Sequence, residues 1–341
     1  MAIREATILA GLSREQLLEL HAQMYVLRRF EEKAAELYTL GKIGGFLHLY
    51  IGQEAVGVGA ISQLRQDDLV LSSYREHGHA LVKGVNPNAL MAELCGKADG
   101  VNKGKGGSMH IFDASKGMLG GYGIVGAQLP LACGFAFAAK YQRKSHIVMT
   151  FFGDGAVDEG AFHEALNLAS LWNLPIVYIC ENNLYSMGMS VEKAWAVKSL
   201  EPRAAAYSMD YERVDGMNVL DVRAAVERSV TRARTESRPT LLEIMTYRFR
   251  GHSMADPAAY RPKEETERWR STRDPISLFE NVLREAGLGS DQDFAKADER
   301  ATQMADDAAA FADNSPAPDL SELTKDIMVD PTGAIAWRRP R

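Results

Sequence analysis

Two apolar runs with a helical pattern between them form the clearest signal in the chain. The first run, His146 to Phe152, is β-prone and ends at a glycine-flanked turn, which predicts a buried strand. The second run, Pro175 to Cys180, has the same character. Between them, apolar residues recur three or four positions apart, as on one face of a helix: Phe162, Leu166, Ala169 and Trp172. The pattern predicts a βαβ unit with parallel, neighbouring strands.

Polar residues follow both of these strands. Asp154 lies in the turn after the first run and Asn183 just after the second, so both should meet at the carboxyl edge of the sheet, where α/β sheets bind ligands. A carboxylate and an amide oxygen suit Mg²⁺ that also holds phosphates. Gly153 and Gly155 would let phosphate oxygens approach the backbone, and the turn is expected to be exposed. An ordinary turn with a capping aspartate is the alternative, which the Asn182-Asn183 pair disfavours.

Other runs extend the α/β pattern along the chain. Ser13 and Gln16 form a capping box for a long N-terminal helix over residues 13–41, and residues 263–325 are helical, charged and capped internally at Asp274. The other predicted elements are a helix over Gln53 to Leu64, a strand over Leu69 to Ser72, a helix starting at Asn86-Pro87, a helix over Ile124 to Lys140, a helix over Asp221 to Thr235 and a strand over Pro239 to Arg248. We expect residues Tyr185 to Ser190 to form a loop. The last dozen residues are expected to be poorly ordered.

Composition narrows the class of protein. The 341 residues are 46% apolar, which is enough for one large α/β domain with appendages. A net charge of −6 and the lack of a basic stripe argue against a nucleic-acid partner. The three cysteines match no metal or disulfide spacing, which favours a reduced cytoplasm. With no apolar leader and no run near the roughly 18 residues of a membrane span, we expect a cytoplasmic protein without membrane contact.

Three polar runs are candidates for anion binding. Tyr74 and Arg75 open the first, together with two histidines that are costly to bury without a ligand; a solvated loop is the alternative. The second, Arg248 to Pro257, places arginines and His252 directly after a strand. The third, Lys103 to His110, lacks Walker spacing and is expected to be a flexible polar loop near an anionic cofactor or a protein interface.

A glycine-rich stretch precedes an unusually small and apolar helix pattern. Five glycines fall between Gly117 and Gly126, and the helix predicted from Ile124 has polar Gln128 and rigid Pro130 near its start. Small residues let a helix pack closely against another element. We expect a contact with another chain here, with an ordinary central helix as the alternative.

These residues are specific enough to identify a family. The chain contains the runs HLYIGQEA, YREHGH, GKGGSMH, GIVGAQLPL, FFGDGAVDEG, LPIVYICENNLYSMG, VDGM and YRFRGHSMADPAAYR. Over about residues 13–325 it resembles the α subunits of two-subunit pyruvate dehydrogenase E1 components. The resemblance implies a thiamine diphosphate-binding fold in one domain over residues 1–341, with a mostly parallel central sheet flanked by helices. It also implies thiamine diphosphate and Mg²⁺ as cofactors.

The resemblance assigns roles to individual residues. The implied metal ligands are Asp154, Asn183 and the carbonyl of Tyr185. The implied diphosphate contacts are the backbone of Gly153, Gly155 and Ala156 and the side chains of Tyr74, Arg75 and His252. The implied aminopyrimidine contacts are the backbone of Gly123 and Val125, and the implied catalytic histidines are His252 and His48. A diphosphate carries about three negative charges, of which Mg²⁺ cancels two, so the cationic side chains have an anion to hold. Ser186 departs from the family, which often has Gly there. Ser253 and Ser190 match serines that are phosphorylated in animal enzymes.

The resemblance also implies that half of the active site lies on another chain. The cofactor's carbanion adds to a 2-oxo acid and serves as the electron sink for loss of CO₂. Its formation requires a carboxylate that, in this family, belongs to the E1 β subunit, so Glu54 is not assigned that role. The chain should therefore act only as an α₂β₂ heterotetramer, decarboxylating pyruvate and passing the acetyl group to a lipoyl-bearing E2 acyltransferase.

Three other functions fit parts of the sequence. The α subunits of acetoin and branched-chain 2-oxo acid dehydrogenases share the metal pattern, but Tyr74-Arg75 and the run Gly251 to Met254 favour pyruvate. A nicotinamide-dependent Rossmann oxidoreductase would need a Gly-x-Gly-x-x-Gly turn with an acidic residue about 20 positions on, which the chain lacks. A non-catalytic interaction subunit would not need the intact set of Asp154, Asn183, Arg75 and His252.

Overall fold

A six-stranded parallel sheet forms the centre of the structure. The computed structural model describes residues 11–325. The strands are β1 (Leu69–Ser73), β2 (Met118–Tyr122), β3 (Val148–Gly153), β4 (Ile176–Asn182), β5 (Tyr185–Ser186), β6 (Met189–Ser190), β7 (Asp210–Asp215) and β8 (Thr240–Met245). The sheet has the order β2-β1-β3-β4-β8-β7, and β5 and β6 form a separate antiparallel hairpin. Every neighbouring pair in the sheet is parallel, so the predicted α/β class with a mostly parallel sheet is confirmed.

Helices follow or separate most of these strands. They are α1 (Arg14–Thr39), α2 (Glu54–Ile61), α3 (His77–Lys83), α4 (Pro87–Leu94), α5 (Gln128–Tyr141), α6 (Gly160–Leu171), α7 (Val191–Ala194), α8 (Glu201–Ala206), α9 (Val219–Glu236), α10 (Lys263–Arg273), α11 (Pro275–Glu285) and α12 (Asp291–Asn314). Short 3₁₀ turns lie at Gly107–Met109, Ala114–Lys116, Asp154–Asp158 and Leu320–Leu323. Among residues 11–325, no helix is both long enough and apolar enough to cross a membrane.

Both faces of the sheet are buried. Along β3, Met149 and Phe151 belong to a core shared with α1, α2 and α9, whereas Val148 and Phe152 belong to a second core shared with α5 and α6. A strand buried on both faces needs apolar residues at every position rather than at alternate positions. This requirement explains why the two strand-forming runs are almost continuously apolar, with Thr150 as a buried polar residue within the first.

The predicted βαβ unit is confirmed as β3, α6 and β4. The two strands are parallel neighbours with Gly153 opposite Glu181, so Asp154 and Asn183 leave the sheet at the same edge. The helix does not follow the strand at once, because the turn over Asp154–Asp158 comes between them.

The helix boundaries predicted from capping residues are also confirmed. Ser13 and Gln16 form the capping box of α1, Asn86 caps α4 and Asp274 caps α11. The C-terminal helix α12 packs along α1 and α4, so the two ends of the described chain meet. The disorder expected for the last dozen residues concerns positions outside the described range.

Other elements differ from the prediction. The helix expected from Ile124 begins at Gln128, because Gly126 adopts a φ of +80° that a helix cannot contain. The glycine-rich stretch before it includes strand β2, and residues 185–190 form the β5–β6 hairpin rather than a plain loop. Strand β7 was not predicted from the sequence; it is an edge strand whose mostly charged residues are half-exposed.

The lysine- and glycine-rich run after α4 is organised by an internal carboxylate. Glu93 is fully buried, and its two oxygens accept the backbone N–H groups of Asn102, Gly104, Gly106 and Gly107 at 2.7–3.1 Å. These N–H groups form an anion-binding concavity of the kind that can hold phosphate. The glutamate fills it, so the run is a packed structural loop and not the flexible loop that was expected.

We expect Glu93→Gln to lower the free energy of unfolding by about 2–4 kcal/mol, because an amide nitrogen would face buried N–H donors. Urea denaturation of the purified protein measures this change. Glu36→Gln is the matched control, since Glu36 is exposed and pairs with Lys33 on the surface, and its effect should stay within about 0.5 kcal/mol. Equal effects of the two substitutions would contradict the role given to Glu93.

Candidate functional site

A cavity opens at the carboxyl edge of the sheet, where β1, β3, β4 and β8 end. Most of the site residues expected from the sequence line it: Tyr74, Arg75, Val125, Gly153, Asp154, Gly155, Ala156, Asn183, Tyr185 and His252. His48 lines an adjoining cavity, which shares His252 and Met187 with the first. Gly123 lines neither of these two cavities, and a Cβ atom there would lie 3.5 Å from the imidazole of His110.

Asp154 is buried, and the expectation of an exposed turn is wrong. The residue is only 1% exposed. Its carboxylate accepts a hydrogen bond from the hydroxyl of Ser186 at 2.9 Å and a longer one from the Asn183 N–H at 3.4 Å. Burial raises the pKa of Asp154, and the hydrogen bond from Ser186 offsets part of that rise. The β5–β6 hairpin, which the sequence analysis treated as loop, is what covers the turn.

Asn183 places an unsatisfied amide oxygen next to this carboxylate. Its NH₂ group donates to Gln53 Oε1 at 3.1 Å, while its Oδ1 is buried and has no hydrogen-bond donor among the described residues. An unpaired buried acceptor costs free energy that a bound cation would recover. The carbonyl of Tyr185 accepts one hydrogen bond from Arg248 at 3.1 Å, which leaves a second lone pair.

The donor set in this corner is made of oxygen atoms. The described part of the chain holds no group of three His, Cys, Asp or Glu side chains arranged for a metal. One carboxylate, one amide oxygen and one carbonyl instead suit a hard cation such as Mg²⁺, which takes few protein ligands and completes its shell with water and phosphate oxygens.

Two buried arginines give the cavity a positive side. Arg75 is 5% exposed and Arg248 is 1% exposed, and within residues 11–325 neither forms an ion pair with a carboxylate. Arg75 donates instead to the carbonyls of Leu49 at 2.6 Å and His252 at 2.8 Å. Burial, together with the neighbouring charge of Arg248, lowers the pKa of Arg75 to about 10. Two guanidinium groups buried together are costly without a nearby anion, so the cavity suits a strongly anionic ligand.

The imidazole of His252 is fixed in one tautomer. Arg248 Nη1 lies 3.1 Å from its Nδ1, and because a guanidinium can only donate, Nδ1 must accept and Nε2 must carry the proton. Burial, with the charges of Arg75 and Arg248, lowers the pKa of His252 to about 3. The ring is therefore neutral near pH 7 and offers an Nε2–H donor.

His48 forms part of the wall between the two cavities. Its ring packs against those of Tyr74 and His252, with centroids 4.5 and 5.0 Å apart. Burial lowers the pKa of His48 to about 2, and the charge of Arg75 contributes to the shift. His48 is therefore a neutral ring that shapes the site beside His252.

The segment after β8 is held by its own side chains. Asp256 accepts the backbone N–H of His252 at 2.6 Å and the hydroxyl of Tyr260 at 2.8 Å. Arg261 donates to two backbone carbonyls of the same segment at 2.9 and 2.5 Å. Ser253 lies within this folded segment and is 9% exposed.

Several residues of the cavity were not assigned a role from the sequence, among them Arg248, Gln53 and Glu181. Arg248 and Arg250 are two positions apart in the same polar run. The alternation of polar and apolar residues along the run does not show which of the two arginines is buried. Glu181 follows the apolar run of β4 directly, and its carboxylate accepts from the Tyr50 hydroxyl inside the core. A polar residue that ends a fully apolar strand is the signal that could have identified it.

Comparisons with known proteins agree with this geometry. A family model described as "Dehydrogenase E1 component" matches residues 22–321. The pyruvate dehydrogenase E1 component subunit alpha of Rhizobium meliloti is 45% identical over 321 residues, covering 94% of this chain and 92% of the relative. The proteins of the same name from Rickettsia bellii and Zymomonas mobilis are 44% and 45% identical over 317 residues, covering 93% of this chain and 97% and 89% of the relatives.

We expect acid to destabilise the cofactor-free protein partly through His48. Its pKa in the folded state lies below the ordinary value of 6.5, so the unfolded chain binds a proton that the folded chain does not. Stability is therefore lost as the pH falls below about 6.5, by about 1.4 kcal/mol per pH unit for one such group between pH 6 and pH 4. Urea denaturation at both pH values should give a shallower pH dependence for His48→Gln, and an unchanged slope would contradict the assignment.

Proposed function

Since the chain belongs to the dehydrogenase E1 component family, we propose that it is the α subunit of a two-subunit pyruvate dehydrogenase E1 component. Its reaction is the oxidative decarboxylation of pyruvate, with transfer of the acetyl group to the lipoyl group of an E2 acyltransferase. The observation that carries the proposal is the cavity, in which two buried arginines without an ion-pair partner in residues 11–325 lie near an oxygen-only donor set. The names of the relatives support pyruvate as the substrate.

The proposed cofactors are thiamine diphosphate and Mg²⁺. Asp154, Asn183 and the carbonyl of Tyr185 would hold the metal, and the unpaired Oδ1 of Asn183 supports this assignment. Arg75 and Arg248 would neutralise the diphosphate charge that the metal leaves uncancelled. When bound, thiamine diphosphate supplies the carbanion that adds to the keto carbon of the substrate and takes up the electron pair as CO₂ leaves.

The other residues of the cavity would orient the same ligand. Backbone groups of the turn and of the segment before α5 would contact the diphosphate and the aminopyrimidine, and the side chain of Tyr74 would donate to a diphosphate oxygen. The backbone groups are those of Gly153, Gly155, Ala156, Gly123 and Val125. Of these five residues, Gly123 is the one that does not line the cavity.

His252 would act as a hydrogen-bond donor rather than as a base. Arg248 occupies its Nδ1, so only the protonated Nε2 is left to face a ligand oxygen. His48 would keep this ring in place and limit the access of water, because it packs directly against it. Both histidines thus contribute to catalysis through positioning and through a neutral donor.

The proposed partner is an E1 β subunit in an α₂β₂ assembly. The relatives are named as alpha subunits, and this chain exposes a set of large apolar side chains that extends from the cavity along α5 to the end of α6: Ile124, Val125, Leu131, Phe135, Phe137, Tyr141, Leu171 and Trp172. Val125 belongs to both this apolar surface and the cavity lining, so a chain that covers the surface would also reach the cofactor. An apolar patch of this kind marks a protein contact.

The carboxylate that activates the cofactor would come from this partner. Glu54 does not suit the role, because it is fully buried, pairs with Arg28 at 2.6 Å and accepts the N–H of Gly52 at 3.0 Å. It joins α1 and α2 inside the protein and does not line the cavity.

The experiment that tests the proposed function is reconstitution with the β subunit. The assembled protein should bind thiamine diphosphate in a Mg²⁺-dependent manner in calorimetry and reduce an artificial electron acceptor with pyruvate in preference to acetoin or a branched-chain 2-oxo acid. Asp154→Asn should weaken Mg²⁺ binding by at least about a hundredfold, or about 3 kcal/mol, because the metal loses its charged ligand.

Asp158→Asn is the matched control for this substitution. Asp158 lies in the same turn but forms an exposed ion pair with Arg203, so its variant should bind Mg²⁺ and pyruvate as the wild type does. Unchanged Mg²⁺ affinity in Asp154→Asn would contradict the metal assignment. If the assembled protein preferred acetoin or a branched-chain 2-oxo acid, that compound and not pyruvate would be the substrate.

We expect Phe137→Asp to prevent assembly with the β subunit, because it places a charge in the centre of the apolar surface. Phe137 is 47% exposed on α5. Phe311→Asp is the control, since Phe311 is 37% exposed on α12, away from the cavity. Light scattering after size-exclusion chromatography measures the mass, and a full-size assembly formed by Phe137→Asp would show that the partner binds elsewhere.

A further inference from the structure

The hydroxyl of Ser186 lies inside the candidate metal site. It donates to Asp154 Oδ2 at 2.9 Å, and the residue lines the same cavity. The other carboxylate oxygen, Oδ1, accepts the longer 3.4 Å contact from the Asn183 N–H. One oxygen of the carboxylate is therefore fixed by a short hydrogen bond, and the other is free for a cation.

The backbone around Ser186 determines where this hydroxyl lies. Ser186 pairs with Met189 across the β5–β6 hairpin. Arg248 donates to the carbonyls on either side of it, those of Tyr185 at 3.1 Å and Met187 at 3.3 Å. Because the guanidinium is buried and bonded on both sides of the residue, the position of the serine side chain is set by the core and not by solvent.

The turn beneath the hairpin is shaped to accept this side chain. A Cβ atom added at Gly155 would lie 2.5 Å from Ser186 Oγ and 3.0 Å from Ser186 Cβ. The serine thus fills space that any residue other than glycine at position 155 would occupy. The hydroxymethyl group is packed into the site, so its contact with Asp154 follows from the fold.

We propose that Ser186 is a positioning residue that holds the Asp154 carboxylate in the orientation that binds the metal, an inference that rests on the proposed function. The hydroxyl donates its single proton to the carboxylate, which keeps its negative charge and its remaining lone pairs for the cation. Removing a hydrogen-bond partner of a metal ligand typically weakens metal binding by about ten- to hundredfold. The same loss is expected here without any change in the ligands themselves.

The test is Mn²⁺ binding to the assembled α and β chains with thiamine diphosphate present, followed through the electron paramagnetic resonance signal of free Mn²⁺. Ser186→Ala and Ser186→Gly should each weaken Mn²⁺ binding by about tenfold or more. Ser190→Ala removes a hydroxyl from the opposite strand of the same hairpin and should stay within about twofold of the wild type.

Two results would overturn the inference. The first is Mn²⁺ affinity in both Ser186 variants within about twofold of the wild type. The second is an equal loss in Ser190→Ala, which would assign the effect to the integrity of the hairpin and not to the hydroxyl. A wild-type assembly that binds neither Mn²⁺ nor thiamine diphosphate would contradict the proposed function itself, and this result is distinct because it does not depend on the variants.

Discussion

The buried guanidinium of Arg248 joins the parts of the molecule that form the cavity. From the end of β8 it bonds to two carbonyls of the β5–β6 hairpin and to the imidazole of His252, while Arg75 reaches the same region from the end of β1. Burial of two guanidinium groups with no ion-pair partner in residues 11–325 is unfavourable in isolation. An anionic ligand removes that cost, so the charge of the ligand and the order of the surrounding loops are physically linked.

The residues at the carboxyl edge of the sheet were predicted correctly from the sequence. In a parallel sheet the carboxyl ends of neighbouring strands lie side by side, so the end of each apolar run shows which residues meet at that edge. Two such runs were enough to bring Asp154 and Asn183 together. Burial of Asp154 was not predictable, since it comes from a hairpin with strands of two residues, too short to show alternation. The lysine- and glycine-rich run was wrongly predicted to be a flexible loop, for a different reason. The anion that its backbone N–H groups bind is the carboxylate of Glu93 in the same chain, and the sequence does not reveal which carboxylate fills a backbone concavity.

The positions of the charged groups and of the apolar surface on this chain explain which parts of the proposed active site it supplies and which parts its partner supplies. One side of the cavity supplies cations, oxygen donors and a neutral imidazole, which suits a metal diphosphate. The adjoining surface around α5 is apolar and exposed, which suits a protein partner. We assign the carboxylate needed for carbanion formation to the partner and not to Glu54, which is engaged with Arg28 inside the core. The two halves of the proposed active site therefore depend on assembly.

The central claim is that the edge of the sheet holds a metal diphosphate between the oxygen donors and the buried arginines. The most direct measurement is a crystal structure of the α and β assembly with thiamine diphosphate and Mn²⁺, with the metal located by its anomalous scattering. We predict one peak about 2.1–2.2 Å from a carboxylate oxygen of Asp154 and from Asn183 Oδ1, with diphosphate oxygens within hydrogen-bond distance of Arg75 or Arg248. A metal peak away from Asp154 and Asn183, or a diphosphate that contacts neither arginine, would contradict the account.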